Sequence, residues 1–297
     1  MLNNIISFFR GCIATLLLVL NMLVFAIIIL IVAGIAWLIP FPKLRHHAMS
    51  AALVLPVWWM FFNKYILMFS TFGKWDVQGS GKLNRKGWYI LIANHESWID
   101  IPVLGSVFNR KIPVIKFFMK KALMWQLPIA GIGCYLLGYP LMARHTRSEI
   151  RKRPELKNKD IETTKQACEK FKAFPTTFMN FAEGTRFNTE KRDRQNSPYK
   201  HLLKPKSGGI AIVLNEMQDK LDGIINTTIH YDAKDNSLWR FLCGKINKIY
   251  VRYEVLPVTE ALTGNYHEDR NFRKQFQGWL NTLWDEKDQM IEAFKKQ

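Results

Sequence analysis

From Ile13 to Ile39 the chain carries no charged side chain, and Asn21 is the one strongly polar residue in the run. Crossing the hydrocarbon of a bilayer takes about 20 apolar residues in helix, so this segment is long enough to span one. A cleaved signal peptide would have a much shorter apolar core and a small-residue cleavage site, which makes a retained anchor the better reading. A buried helix of a soluble core fits poorly at this length. No acidic residue occurs before Asp76, so the field around the segment is positive.

A second apolar stretch, Ala48 to Phe72, follows the linker Pro40–His47 and differs in kind. Pro56 interrupts it, Lys64 sits inside it, and it holds Trp58, Trp59, Phe61, Phe62, Tyr65, Phe69 and Phe72. That composition suits a helix at the headgroup boundary or a re-entrant segment, and a second span stays open. Lys43, Arg45, His46 and His47 follow the first run whereas only Arg10 precedes it. The positive-inside bias then places the C-terminal side in the cytoplasm.

The net charge of +18 points to polyanionic partners, whether nucleic acid, an anionic membrane or a phosphorylated substrate. Aromatics concentrate in the membrane segment rather than among the basic residues of a groove, which argues against nucleic acid. Cys12, Cys134, Cys168 and Cys243 lie far apart without metal-ligand spacing and read as thiols in a reducing compartment.

Beyond Trp75 the pattern becomes an α/β alternation. Trp88–Ala93, Ile112–Phe118, Thr176–Phe181, Ile224–Tyr231 and Lys248–Val255 read as strands. Ile99–Val107, Lys120–Leu127, a segment capped by Asp160 and running to Lys172, and one opened by Ser207 read as helices. Gly131–Arg144 is undecided between strand and loop, and Arg147–Lys159 and Phe187–Lys206 read as basic or polar surface segments. The last thirty or so residues form one amphipathic helix, with Phe272, Phe276, Leu280, Leu283, Trp284 and Ile291 near helical spacing. The expected organisation is a membrane anchor over residues 1–75, an α/β domain with a mixed sheet flanked by helices over 76–260, and a packed C-terminal helix over 261–297.

The strand Trp88–Ala93 delivers Asn94-His95-Glu96-Ser97-Trp98-Ile99-Asp100. His95 and Asp100 would point about 140° apart on one helix, so they meet only if His95 lies in a turn and Asp100 opens the next helix. Such a pair makes a general base with a carboxylate that orients it. A structural alternative is a capping box, Ser97 with Asp100, although Pro102 would then fall past the first turn. Three further stretches carry charge at turns: Gly138–Arg144, Phe181–Arg186, and Lys120 ahead of a helix.

Taken in order, these stretches resemble the glycerolipid acyltransferases of the lysophosphatidic acid (1-acylglycerol-3-phosphate) type. The His-x4-Asp block matches at His95 and Asp100, the second block at Gly138, Leu141 and Arg144, and the Glu-Gly-Thr-Arg block at Glu183, Gly184, Thr185 and Arg186. Lys120 matches a lysine that precedes Pro128 and Gly131. The resemblance covers roughly residues 75 to 235, and the whole chain is most similar to a bacterial branch with a long C-terminal extension. Ala182 stands where the family usually has proline, and Ile224–His230 lacks the proline of the usual fourth block.

The resemblance implies a membrane-bound enzyme that moves an acyl group from acyl-CoA or acyl carrier protein to the sn-2 hydroxyl of lysophosphatidic acid; the alternatives are transfer to a different lysophospholipid and, from another class, a non-catalytic membrane-anchored protein that binds anionic lipid. His95 would be the base and Asp100 its orienter. Lys120, Arg144, Glu183, Gly184, Thr185 and Arg186 would form the phosphate and acceptor site. No metal or resident cofactor is expected, membrane lipids are the expected partners, and nucleic acid is not. The expected location is a bacterial inner membrane with the catalytic domain facing the cytoplasm.

Overall fold

The computed structural model describes residues 2–120, 128–142, 153, 155–233 and 235–297. The first apolar run is part of one long helix, α1 (Leu2–Leu38). Its inward side is made of small residues, Gly11, Ala14, Ala26, Ala33 and Ala36, with Ile29, while larger aliphatic side chains point outward. Small residues let neighbouring backbones approach: a Cβ on Gly11 would lie 2.6 Å from Cys243 Sγ. The second stretch resolves into α2 (Pro42–Ala52) and α3 (Leu55–Thr71). Pro56 does not break a helix here. It lies in the first turn of α3, where its missing N–H has no intrahelical partner to lose. Asn21, alone among apolar neighbours, donates to Asn63 Oδ1 at 2.8 Å and to the Trp59 carbonyl at 3.1 Å, tying α1 to α3. The segments Leu2–Leu38 and Pro42–Thr71 are both long and apolar enough to cross a membrane.

The remaining elements build the expected mixed sheet. Its strands are β1 (Trp75–Ser80), β2 (Tyr89–Ala93), β3 (Ile115–Lys116), β6 (Thr177–Phe181), β7 (Gly223–Asp232) and β8 (Lys248–Leu256), in the order β1-β8-β7-β2-β6-β3. All neighbours run parallel except β7 and β8. A second, two-stranded sheet pairs β4 (Met119–Lys120) with β5 (Leu141–Met142).

β2 is apolar at every position because both faces of the sheet are covered. Ile90 and Ile92 enter a core shared with α6 (Glu155–Lys172), α8 (Gly208–Met217) and α10 (Arg270–Phe294). Leu91 and Ala93 enter the opposite core, against α4 (Asp100–Phe108), α3 and α9 (Leu238–Leu242). The short helices α5 (Pro128–Leu136) and α7 (Thr189–Arg194) complete the described α-helices, and a 3-10 turn spans Glu260–Leu262.

Several sequence expectations shift. The strand expected over Ile112–Phe118 contracts to Ile115–Lys116, because Pro113 cannot donate to a ladder. Lys120 lies in β4 rather than at a helix start, and residues 121–127 fall outside the described residues. The undecided stretch is helical through Leu136, and α6 starts at Glu155, ahead of Asp160. Phe187–Lys206 is not all loop: Asn188 caps α7, its Oδ1 accepting from Lys191 N at 2.8 Å. α10 buries Phe276, Leu280, Leu283, Trp284 and Ile291 as expected, and also Lys287. Lys287 donates to the Thr227 carbonyl at 2.7 Å, and desolvation lowers its ammonium to about 7.

Candidate active site

β2 ends at Ala93 in the middle of the sheet, and the chain there turns out of the ladder. Asn94 holds that exit. Its side-chain amide donates to the Ile229 carbonyl and accepts from Ile229 N, each at 2.9 Å, so β7 and the turn are bonded to each other. His95 follows, its ring stacked on Phe181 at 4.0 Å between centroids.

α4 opens at Asp100, which settles the geometry that the spacing left open. His95 Nδ1 lies 2.7 Å from Asp100 Oδ2. The same oxygen accepts from Glu96 N at 2.8 Å and Ser97 N at 3.0 Å. The bond from Ser97 N is the return half of a capping box. The forward half falls one residue short: Ser97 Oγ accepts from Ile99 N at 3.4 Å rather than from Asp100 N, and itself donates to the Asn236 carbonyl. Asp100 Oδ1 accepts from Tyr231 Oη at 2.7 Å. Asp100 is 0% exposed, and all four contacts supply positive hydrogen to its carboxylate. No described residue bonds the other ring nitrogen of His95, Nε2.

The third motif comes off β6 beside this turn. Glu183 is 0% exposed: Oε1 accepts from His95 N at 3.2 Å and Oε2 from Leu203 N at 3.1 Å. Burial raises its carboxyl to about 8 against the pull of those two donors. Of the residues expected at the acceptor site, Glu183 is the one turned inward: both oxygens brace the backbone, the arrangement of a residue that orders the Arg186 turn. Gly184, at φ +70°, makes the left-handed turn and donates to the Phe181 carbonyl at 2.9 Å. Phe187 N then donates to the His95 carbonyl at 2.8 Å, fastening this turn to the first.

Arg186 stays outward. Its guanidinium carbon lies 4.1 Å from the ring centroid of Trp98, an exposed residue of the first motif. A stacked guanidinium keeps its N–H edge available to an anion. Thr185 Oγ1 accepts from Lys191 Nζ at 3.0 Å, and the Arg186 carbonyl accepts from the same ammonium at 2.9 Å. Gly138 is left-handed, at φ +79°, and borders the buried Lys116. The backbone of Lys120 is in β4; its side chain, and Arg144 entirely, lie outside the described residues.

The structure thus joins His95, Asp100, Glu183, Gly184, Thr185 and Arg186 at the C-terminal ends of β2 and β6. It adds Tyr231, Trp98, Lys191 and Asn94, which sequence reasoning did not select. Trp98 and Asn94 adjoin the recognised residues in sequence, so adjacency was a usable signal. Tyr231 stands 131 residues from Asp100 in another strand, and nothing local marks it.

The arrangement can take a proton at His95, hold the resulting charge against Asp100, and present a cation nearby. With that geometry in view, comparison with known proteins is informative. The profile of a family described as "Acyltransferase" matches residues 74–230. A 2-acyl-1-lysophosphatidylinositol acyltransferase of Saccharomyces cerevisiae is 22% identical over 227 residues, covering 69% of this chain and 54% of the relative. A probable 1-acyl-sn-glycerol-3-phosphate acyltransferase of Arabidopsis thaliana is 24% identical over 252 residues, covering 79% of this chain and 62% of the relative. The chain therefore spans less than two thirds of the length of these curated relatives. The crystal structure of the 1-acyl-sn-glycerophosphate (LPA) acyltransferase of Thermotoga maritima superposes with a TM-score of 0.57 at 16% identity, covering 98% of this chain and 99% of that one. At that identity the likeness shows a shared fold.

Proposed function

This chain belongs to the acyltransferase family, and from that premise we propose that it acylates the sn-2 hydroxyl of lysophosphatidic acid to give phosphatidic acid. The observation that carries the reading is the His95–Asp100 pair. The carboxylate is fully buried and held by four donors, and among the described residues the other imidazole nitrogen is unpartnered.

A thioester donor, acyl-CoA or acyl carrier protein, is already activated, so no protein nucleophile is needed. Asp100 accepts the Nδ1 proton of His95, which leaves Nε2 as the acceptor for the substrate's hydroxyl proton. The hydroxyl oxygen attacks the thioester carbonyl as that proton moves to His95, and Asp100 stabilises the imidazolium. The tetrahedral intermediate then expels the thiolate, which takes the proton back from His95. Arg186, stacked on Trp98, holds the lysolipid phosphate, with Lys120 and Arg144 as further candidates. Fixing the phosphate fixes the hydroxyl within reach of the base.

Residues 1–75 hold the protein in a membrane and bring the site to its lipid acceptor, supported by two segments of sufficient length and apolarity. The excess of Lys and Arg after the first segment favours a catalytic domain on the cytoplasmic face, and the resemblance to a bacterial branch supports an inner membrane. A second reading, transfer to a different lysophospholipid, is favoured by the yeast relative, whose name specifies a lysophosphatidylinositol.

The test is acyl transfer from oleoyl-CoA to labelled lysophosphatidic acid in membranes containing wild type or His95→Ala. Phosphatidic acid from wild type alone is the expected result. Wild type that acylates only other lysolipids moves the conclusion to the second reading, and equal activity of the variant overturns the mechanism.

A further inference from the structure

His95 and Glu183 follow the C-terminal ends of β2 and β6. The opposite ends of the same parallel strands border a different feature, a cleft of about 370 Å³. The loops that lead into β2, β3 and β6 line one side, through Arg85, Pro113 and Pro175, and the α2–α3 junction lines the other. β2 has five residues, so the cleft lies a strand length, about 17 Å, from the catalytic turn.

Two arginines form its rim. Arg85 Nε donates to the Arg110 carbonyl, which holds two like charges at one edge. The arginine ion pairs found among the described residues belong to Arg192, Arg240 and Arg252, and no carboxylate lines the cleft. Arg110 is left-handed, at φ +62°, a backbone state that residues with side chains adopt at a cost and that concentrates at ligand sites. Its guanidinium carbon lies 4.6 Å from the Trp58 centroid and 5.0 Å from that of Phe61. The stack fixes the flat fork and leaves its N–H groups available. Both arginines line this one cleft, and neither pairs with a carboxylate among the described residues, so an anion held there would meet positive charge with no competing carboxylate.

The opposite wall is apolar: Leu53, Val54, Val57 and Trp58. Val54 and Trp58 are exposed and belong to the Pro42–Thr71 segment, long and apolar enough for a membrane. His46 of α2 stacks on Phe174 at 4.5 Å and so ties this segment to the rim. A basic edge with an apolar wall, next to a segment placed in the bilayer, matches a molecule with an anionic head and aliphatic chains.

We propose that this cleft is a second lipid site, holding the headgroup of an anionic diacyl phospholipid with its phosphate between Arg85 and Arg110. The acyl chains lie along the α2–α3 junction. The inference rests on the membrane placement argued above and not on acyl transfer.

The test titrates full-length protein in neutral detergent with dioleoylphosphatidylglycerol or dioleoylphosphatidylcholine, counting retained lipid by native mass spectrometry. Wild type is expected to retain phosphatidylglycerol at least tenfold more tightly. The variant Arg85→Gln/Arg110→Asn, with asparagine chosen because it tolerates the left-handed backbone, loses that preference, each charge-assisted contact being worth roughly tenfold. Arg85→Gln alone touches no core and loses about half of the effect on a logarithmic scale, which keeps the test decisive if the double variant misfolds. Equal retention of the two lipids by wild type, or an unchanged preference in the variants, overturns the proposal. Displacement of the lipid by millimolar inorganic phosphate also overturns it, in favour of a free-anion site. Acyl transfer in zwitterionic vesicles stays at the wild-type rate in Arg85→Gln, which separates this site from His95.

Discussion

Two histidine–carboxylate pairs in this molecule have the same length and opposite capabilities. His95 and Asp100 meet at 2.7 Å, and so do His201 and Glu292. Asp100 is fully buried, whereas the Glu292 side chain is 33% exposed and shared with Lys200. His201 has both ring nitrogens occupied, Nε2 at Glu292 and Nδ1 at Lys295 Nζ, 3.0 Å away. His95 is bonded at Nδ1 alone among the described residues. A short contact alone is therefore not the arrangement that a general base needs, which is a fixed carboxylate on one nitrogen and an open second nitrogen.

The largest expected effect tests that contrast directly. His95→Ala lowers the rate of acyl transfer by about 10²–10⁴, the usual worth of a general base, while His201→Ala leaves it within about twofold. A loss at His201 as large as at His95 would break the comparison. Asp100→Asn comes next, at about 10²-fold or more in kcat, because an amide can present its N–H to Nδ1 and reverse the tautomer. Steady-state kinetics on protein of matched circular dichroism checks it.

Tyr231→Phe keeps the ring in its core and removes only the bond to Asp100 Oδ1. A hydrogen bond to a charged group contributes about 1.5–3 kcal/mol, so a loss of roughly ten- to a hundredfold in kcat is expected with KM unchanged. A change confined to KM would show that Tyr231 acts on substrate binding instead.

The smallest effect concerns the surface pair. The Lys200 ammonium and His201 hold the Glu292 carboxyl down at about 2, from an ordinary 4.5. A depressed carboxyl contributes stability above its unfolded value that is lost as pH falls from about 4.5 toward 2. Glu292→Gln should flatten the decline of Tm across that window and leave transfer at neutral pH unchanged.

What the sequence disclosed about the site was what lies close along the chain. His95, Asp100 and the Glu183–Arg186 turn were readable because a turn must carry its own chemistry within a few residues. Tyr231 was not, because its role depends on β7 pairing beside β2, a contact between distant segments. β2, buried on both faces, was legible from its unbroken apolar run, whereas β1, with the sequence Trp-Asp-Val-Gln-Gly-Ser, looks like loop until β8 pairs with it. Glu183 enters the acceptor set through the Glu-Gly-Thr-Arg motif alone; only packing reveals that its carboxyl faces inward. Lys287 escaped notice for the same reason: one lysine on an amphipathic helix looks solvated until the helix docks.

The amide of Asn94 does in side-chain form what a peptide group does in a ladder. It donates to and accepts from one residue of the neighbouring strand just where β2 has left the sheet. The position of the histidine is thereby indexed to β7 rather than to the length of its own loop. Strand side chains alternate between faces, so inserting a single residue between Ile229 and Tyr231 would turn the tyrosine to the other side of the sheet. The His95 turn and the distant strand thus share one frame of reference. A change of register in β7 would disarm the site while leaving every residue of the His-x4-Asp block in place.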